Sequence, residues 1–283
     1  MHSPALIELD RMDFWVRHAL AEIQGGYGDI CTVSGKLKSL LKFGQNEAVG
    51  TSEATIMEFA GSETSETYAT LGTNPVDSLS CTDASFVGDI YIEGHVDDGA
   101  GNLSFSTQTV TATGQTRAPL TTNLARVTRA ECADETAFSA TTTDKVYVFE
   151  NGALTDGVPD TASNVHLVMS AIERQSKKAS TAISSSDYAL ITKIYADINK
   201  KTGALADIRF RVRSIGVGTG RRPGGFKTKL IRTLNTAGVS GFEFEPRPFI
   251  IVPKNSDVIM TGVGSTTGVS ISAGFDSILV KVS

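Results

Sequence analysis

The clearest pattern in the chain is an alternation of apolar and polar residues over 188–213. Leu190, Thr192, Ile194, Ala196 and Ile198 hold one parity, while Lys193, Asp197 and Asn199 hold the other. After Lys200-Lys201-Thr202-Gly203 the period sharpens, with Ala206, Ile208, Phe210 and Val212 alternating with Asp207, Arg209, Arg211 and Arg213. A period of two buries one face and wets the other, which marks a half-buried antiparallel strand. The stretch predicts two strands joined by a short turn.

Similar signals recur along the chain. Ile90-Tyr91-Ile92 reads as a strand, and Asp97-Asp98-Gly99-Ala100-Gly101-Asn102 as a hairpin loop. Leu103, Phe105, Thr107, Thr109 and Thr111 follow on one parity, and Gly114-Gln115 turns toward Leu124-Ala125-Arg126-Val127. Residues 145–149 form a further strand, ended by Asn151-Gly152. Runs at 165–172, 226–234, 242–244, 258–261 and 269–282 complete the set. This spacing predicts an all-β protein of two antiparallel β-sandwich bodies, immunoglobulin-like or jelly-roll-like. Gly157, Pro159 and small polar neighbours make 151–164 the expected linker between bodies at 78–150 and 165–283.

The N-terminal region has a different period. Ser3 is placed to cap a helix that Pro4 begins, and Leu9, Met12, Val16, Leu20 and Ile23 recur at helical spacing until Gly25-Gly26. An amphipathic helix is predicted, lying on the β-body or on a neighbouring subunit, within a docking segment at 1–43. A second apolar cluster follows at Leu37, Leu40, Leu41 and Phe43, interrupted by Lys36, Lys38 and Lys42. Residues 44–77 are expected to form an extended arm, because 44–73 is polar and rich in Gly, Ser, Thr and Glu. Residues 216–225 are dense in glycine and basic, an exposed loop.

Composition narrows the chemistry. A chain of 283 residues, 40% hydrophobic and 20% charged, can bury a substantial core. Its net charge of −5 argues against a nucleic-acid footprint over the whole chain. Cys31, Cys81 and Cys132 are odd in number and far apart, so free thiols are expected in place of a disulfide framework or zinc knuckle. No apolar run approaches the roughly 20 residues of a membrane helix. Glu8, Asp10, Arg11 and Asp13 interrupt any signal-peptide core.

The residues that could carry catalysis do not converge. Gly216, Gly218 and Gly220 lack the strand-to-helix setting of a dinucleotide loop, and Arg221-Arg222-Pro223 blocks the helix. His2, His18, His95 and His166 are scattered, away from metal-ligand spacing. Asp97, Asp98 and Asn102 do not fit the twelve-residue calcium loop. No carboxylate pair or Gly-x-Ser-x-Gly elbow can be nominated. The expectation is a non-enzymatic protein without cofactor or metal. What remains is the basic stripe Arg209, Arg211 and Arg213, extended by Arg221, Arg222, Lys227, Lys229 and Arg232. It reads either as a wet strand face or as an assembly surface meeting acidic patches such as Glu243 and Glu245, a sign reversal suited to complementary association.

Five segments carry a family resemblance. They are Lys42-Phe43-Gly44-Gln45-Asn46, Asp89-Ile90-Tyr91-Ile92-Glu93-Gly94, residues 109–116, Ala125-Arg126-Val127-Thr128-Arg129-Ala130 and Ser270-Ile271-Ser272-Ala273-Gly274-Phe275-Asp276. From about residue 42 onward the chain resembles virion structural proteins of tailed bacteriophages. The resemblance implies a particle component of the head, collar or tail, assembled in the host cytoplasm and located in the virion. Its implied partners are further copies of itself, a trimer among the candidate stoichiometries, and capsid, portal, collar or tail proteins. Membrane and nucleic acid are not implied. The alternative is a receptor- or glycan-binding tail-fibre or adhesin module. That would call for exposed aromatics, and one Trp with 7% aromatics gives it little support.

Overall fold

The computed structural model describes residues 37–59, 64–66, 68, 75–132, 143–199, 203–216 and 224–281. The expected N-terminal helix, with Leu9, Met12, Val16, Leu20 and Ile23, lies outside the described residues, as do Arg221 and Arg222. In the N-terminal half the strands are β1 (Leu37–Val49), β2 (Ala54–Thr55), β3 (Val76–Cys81), β4 (Val87–Asp97), β5 (Leu103–Thr113), β6 (Ala118–Leu124), β7 (Arg126–Cys132), β8 (Lys145–Glu150), β9 (Leu154–Thr155) and β10 (Val158–Pro159). Then come β11 (Val165–Ser170), β12 (Ser180–Ile183), β13 (Asp187–Asn199), β14 (Leu205–Ser214), β15 (Lys227–Asn235), β16 (Gly241–Phe244), β17 (Ile250–Val252), β18 (Ser256–Gly264) and β19 (Val269–Lys281). One short 3-10 turn, Ala162–Asn164, interrupts them. The described chain is nearly all β, as its alternation predicts.

Four antiparallel sheets hold most of these strands, and β9 and β10 pair with each other as a small fifth. Sheet A runs β1-β19-β13-β16, with β17 also on β13; sheet B runs β12-β18-β14-β15, with β2 on β18. Sheet C runs β11-β8-β3-β6, and sheet D runs β5-β4-β7. Apolar burial couples them in pairs. One cluster joins Ile194, Ile271 and Phe275 of sheet A to Ile208, Phe210 and Met260 of sheet B. Phe210 and Phe275 meet edge to face with centroids 5.3 Å apart, the arrangement the ring quadrupoles favour. A second cluster joins Ile90, Ile92 and Val110 of sheet D to Leu79, Val148 and Leu167 of sheet C.

The alternation over 188–213 identifies the buried residues of β14 correctly: Ala206, Ile208, Phe210 and Val212 all lie in the core. The pairing is different from the predicted hairpin. β13 pairs with β16, β17 and β19, whereas β14 pairs with β15 and β18. β13 and β14 therefore belong to two different sheets that face each other over a common core. In β13 a register shift between Ile191 and Lys193 switches the parity. Ala189 and Ile191 point into the core before it, and Ile194, Ala196 and Ile198 after it. Leu190 consequently joins a small cluster on the opposite face, with Leu37 and Ile278.

Three segment boundaries also shift. Residues 165–170 do not open the second body, since β11 pairs with β8 in sheet C. The expected linker at 151–164 contains β9 and β10, and its Gly157 is pressed so closely on the Cys81 carbonyl that a β-carbon would collide with it. Ser80 Oγ donates to the Gly157 carbonyl at 2.7 Å. The expected arm is partly core: β1 covers 37–49, and Val49, Ala54 and Ile56 are buried between sheets A and B. Cys81 and Cys132 are not joined in a disulfide, and Cys31 lies outside the described residues.

Gly274 of β19 explains how β1 and β13 can flank that strand so tightly. It pairs with Phe43 on one side and Tyr195 on the other. The Tyr195 hydroxyl reaches across it to donate to the Lys42 carbonyl at 3.3 Å. A β-carbon on residue 274 would strike both groups. Gly274→Ala should therefore lower stability by about 1–3 kcal/mol, the range for forced overpacking. Urea denaturation followed by tryptophan-independent circular dichroism checks this; an unchanged midpoint would show that the strands separate freely.

Candidate functional site

Of the basic stripe, Arg209, Arg211 and Arg213 are paired within the chain, while Lys227, Lys229 and Arg232 stand exposed. The strand parity that buries Phe210 turns Arg209, Arg211 and Arg213 to the outer face of sheet B, where other parts of the same chain meet them. Glu53, just before β2, sets Oε1 2.7 Å from Arg211 and Oε2 3.5 Å from Arg209. The Thr261 hydroxyl donates to Glu53 Oε1 at 2.6 Å. Arg213 Nε donates to Asp257 Oδ2 at 2.8 Å. Its guanidinium lies 4.0 Å from the Tyr68 ring centroid and 4.6 Å from that of Phe226. A cation packed against two aromatic rings gains from both quadrupoles once water is displaced. The charge of these three arginines is thus answered within the molecule.

Asp257 is the centre of a larger seam. It is fully buried on β18, opposite Arg213 in the register. Arg126, from β7 in the other pair of sheets, donates from Nε to its Oδ1 at 2.9 Å. One carboxylate therefore holds an arginine from each half of the structure. Arg126 also donates from Nη1 to the Ala125 carbonyl at 2.6 Å and stacks 4.9 Å from the Tyr68 ring. Burial alone would lower the Arg126 pKa, but Asp257 raises it above its ordinary value.

Two lysines extend the seam. Lys178 Nζ donates to the carbonyls of Val127 and His166 at 2.8 and 2.9 Å and lies 2.7 Å from Glu66 Oε1. Its three ammonium protons are fully used. Lys42, on β1, donates to the Thr128 carbonyl at 2.8 Å. Burial lowers its pKa to about 8, against the opposing pull of Glu93. Nearby, buried Asn255 accepts from Leu103 N at 3.0 Å, and Leu103 and Ala125 pack on Ala182 and Ile215. The backbone closes the joint as well. Ser176 N donates to the Ala130 carbonyl, and Glu131 bridges to Gln175 beside β7. A few residues later, 180–183 pair with β18. Residues 174–183 thus form a shared segment that bonds to β7 at one end and to β18 at the other.

His95 faces this seam from β4. Its ring meets Phe105 at 5.6 Å, and its Nδ1 is buried without a hydrogen-bond partner. Burial, then the charge of Lys42, lower its pKa to about 3; Arg126 acts the same way and Asp257 opposes.

Sequence reasoning missed Lys42, Glu66, Tyr68, Arg126, Lys178 and Asp257. The seam joins residues 131 positions apart at Arg126 and Asp257 and 152 apart at Leu103 and Asn255, and a strand's alternation carries no sign of its distant partners. Among the described residues no group of three or more His, Cys, Asp or Glu is placed to hold a metal ion. An open cleft of about 630 Å³ lies between the halves, lined by Met57, Glu58, Phe59, Lys145, Ile172 and Lys177 among others. Lys145 and Glu58 pair across it at 3.3 Å. Elsewhere, three apolar side chains stand exposed on β1 and β17 of sheet A: Leu41 at 69%, Phe43 at 45% and Ile251 at 47%.

No family model and no curated protein matches the chain. Among solved structures, it is similar to the infectious bursal disease virus VP2 subviral particle at 9% identity, over 87% of this chain and 72% of that one, with a TM-score of 0.21. The top component of cowpea mosaic virus, naturally occurring empty particles, is 8% identical over 76% and 84%, with a TM-score of 0.16. A protein from Parabacteroides distasonis assigned as secreted is 11% identical over 90% and 92%, with a TM-score of 0.19. Superpositions this loose carry no argument about fold or function.

Two predictions follow from the seam. Asp257→Asn leaves Arg126 and Arg213 buried without their shared counter-charge. The expected loss is about 3–5 kcal/mol, the cost of breaking a buried pair from one side, read as a lower urea midpoint; a shift within error would show that the arginines are rehydrated. The second concerns pH. The folded pKa of His95 is depressed from 6.5 to about 3, so its contribution is complete above about pH 6.5 and is lost as pH falls toward 3. The slope in that window is at most about 1.4 kcal/mol per pH unit. Lys42 is depressed from 10.5 to about 8, so its penalty is complete below about pH 8 and lifts as pH rises toward 10.5. Subtracting the stability profile of His95→Gln from that of the natural chain should isolate the acid slope, and Lys42→Met the alkaline rise. Parallel profiles would contradict both assignments.

Proposed function

We propose that this chain is a non-enzymatic structural subunit of a virus particle, of the tailed-bacteriophage type, that works as a homo-oligomer. In this reading each pair of sheets is a sandwich, and the seam makes the two sandwiches one rigid block. The observation that carries the reading is the outer face of sheet A, where the large apolar side chains of Leu41, Phe43 and Ile251 remain exposed. Apolar side chains on a regular sheet face favour association with another surface.

The resemblance to virion proteins supports the same reading, and its segments fall on the strands that build the frame. They include Lys42 of β1 and Arg126 of β7 in the seam, and Gly274 of β19 at the close approach. Assembly would run through the apolar face and the N-terminal segment. The arginine stripe has its partners inside the chain, so it is set aside as the assembly surface. Capsid, portal, collar or tail proteins would be the neighbours, in a virion put together in the host cytoplasm.

Sedimentation velocity on the full-length chain tests the oligomer. A defined species of more than one subunit is expected at micromolar concentration, unchanged in high salt because the contact is apolar. A monomer throughout the accessible concentration range would contradict the reading.

A further inference from the structure

The outer face of sheet A has a layout that the strand register defines. At one end Leu37 lies opposite Val280, and Val280 opposite Tyr188. The next row places Ser39, Ile278, Leu190 and Ile251 side by side across four strands. Phe249 and Val280 pack on Leu37, Leu190 and Ile278, closing that end. Further along β1 come Leu41 opposite Asp276, then Phe43 opposite Gly274 and Tyr195. Because Gly274 has no side chain and Tyr195 lies across it, the floor beside Phe43 is shallow. Leu41 and Phe43 rise from it at the sheet edge.

The chain also contains an apolar stripe of matching character that this face does not yet account for. Leu9, Met12, Val16, Leu20 and Ile23 recur at helical spacing in the 36 residues before β1. A five-residue apolar stripe left to water forgoes the gain of burying five large side chains. Between Ile23 and Leu37 lie residues 24–36, with glycines at 25, 26, 28 and 35. Thirteen residues reach roughly 45 Å when extended, enough to pass the edge of the sheet they lead into.

We propose that the N-terminal segment of one copy of this chain seats its apolar stripe on the outer face of sheet A of a second copy, against Leu41 and Phe43. The choice of a second copy rests on the oligomeric reading above. Each chain then carries both halves of the contact, the stripe and the face, so the arrangement is heterologous and closes into a ring when the rotation per subunit allows.

The test uses sedimentation and a cysteine pair. Deletion of residues 1–36 and, separately, Leu41→Ser with Phe43→Ser should each weaken self-association at least tenfold while the thermal melt stays in place. Chains with Val16→Cys are then mixed under oxidising conditions with chains carrying Phe43→Cys, both in a Cys31→Ser, Cys132→Ser background. A covalent dimer between the two kinds of chain is expected. An oligomer that survives both the deletion and the serine pair overturns this contact and leaves the oligomeric reading intact. A bond that forms only within a single chain carrying both cysteines also overturns it, since the segment then folds back on its own sheet. A monomer in every form removes both.

Discussion

A carboxylate that water cannot reach must find its counter-charges inside the protein, and Asp257 finds one in each half of this molecule. Arg213 belongs to the strand beside it, whereas Arg126 comes from a strand in the other pair of sheets. Removing Asp257 would leave both arginines without their shared counter-charge in a place that solvent scarcely reaches. Such networks add little net stability compared with apolar packing, but they penalise every alternative arrangement heavily. Here the arrangement they select is the relative position of the two sheet pairs. Tyr68, between the two guanidiniums, and Glu66, on Lys178, draw the 64–68 stretch into the same joint.

The joint explains why the arginine stripe does not act as the sequence invites. Three like charges at every second position read as an outward, hydrated face. Arg209 and Arg211 are instead held by Glu53, and Arg213 by Asp257, at side-chain exposures of 30%, 23% and 14%. The alternation correctly states that these residues leave the core between sheets A and B. It cannot state that a later layer of the same chain covers them.

The same division runs through the rest of the fold. Ile208, Phe210 and Val212 were legible as core because a half-buried strand writes its burial in a period of two. Residues 188–199 were half legible, since the shift after Ile191 moves the apolar residues from one parity to the other. The pairing of β13 with β14 was misread for a related reason: alternation fixes which side of a strand is buried, while neighbours are chosen by contacts far along the chain. Val165–Ser170 shows this in its return to β8. At 151–164 glycine and proline marked a tight excursion packed on β3, where chain composition alone resembles a linker. Lys42, Lys178 and Asp257 were illegible, because a buried charge has no periodic signature, only distant partners.

The central claim is that the seam makes two pairs of sheets behave as one body. Differential scanning calorimetry of the natural chain tests it most directly. A cooperative unit should melt in a single transition whose calorimetric and van't Hoff enthalpies agree, the criterion for two-state unfolding. Two separable transitions, or a calorimetric enthalpy well above the van't Hoff value, would show that the halves unfold independently and contradict the account.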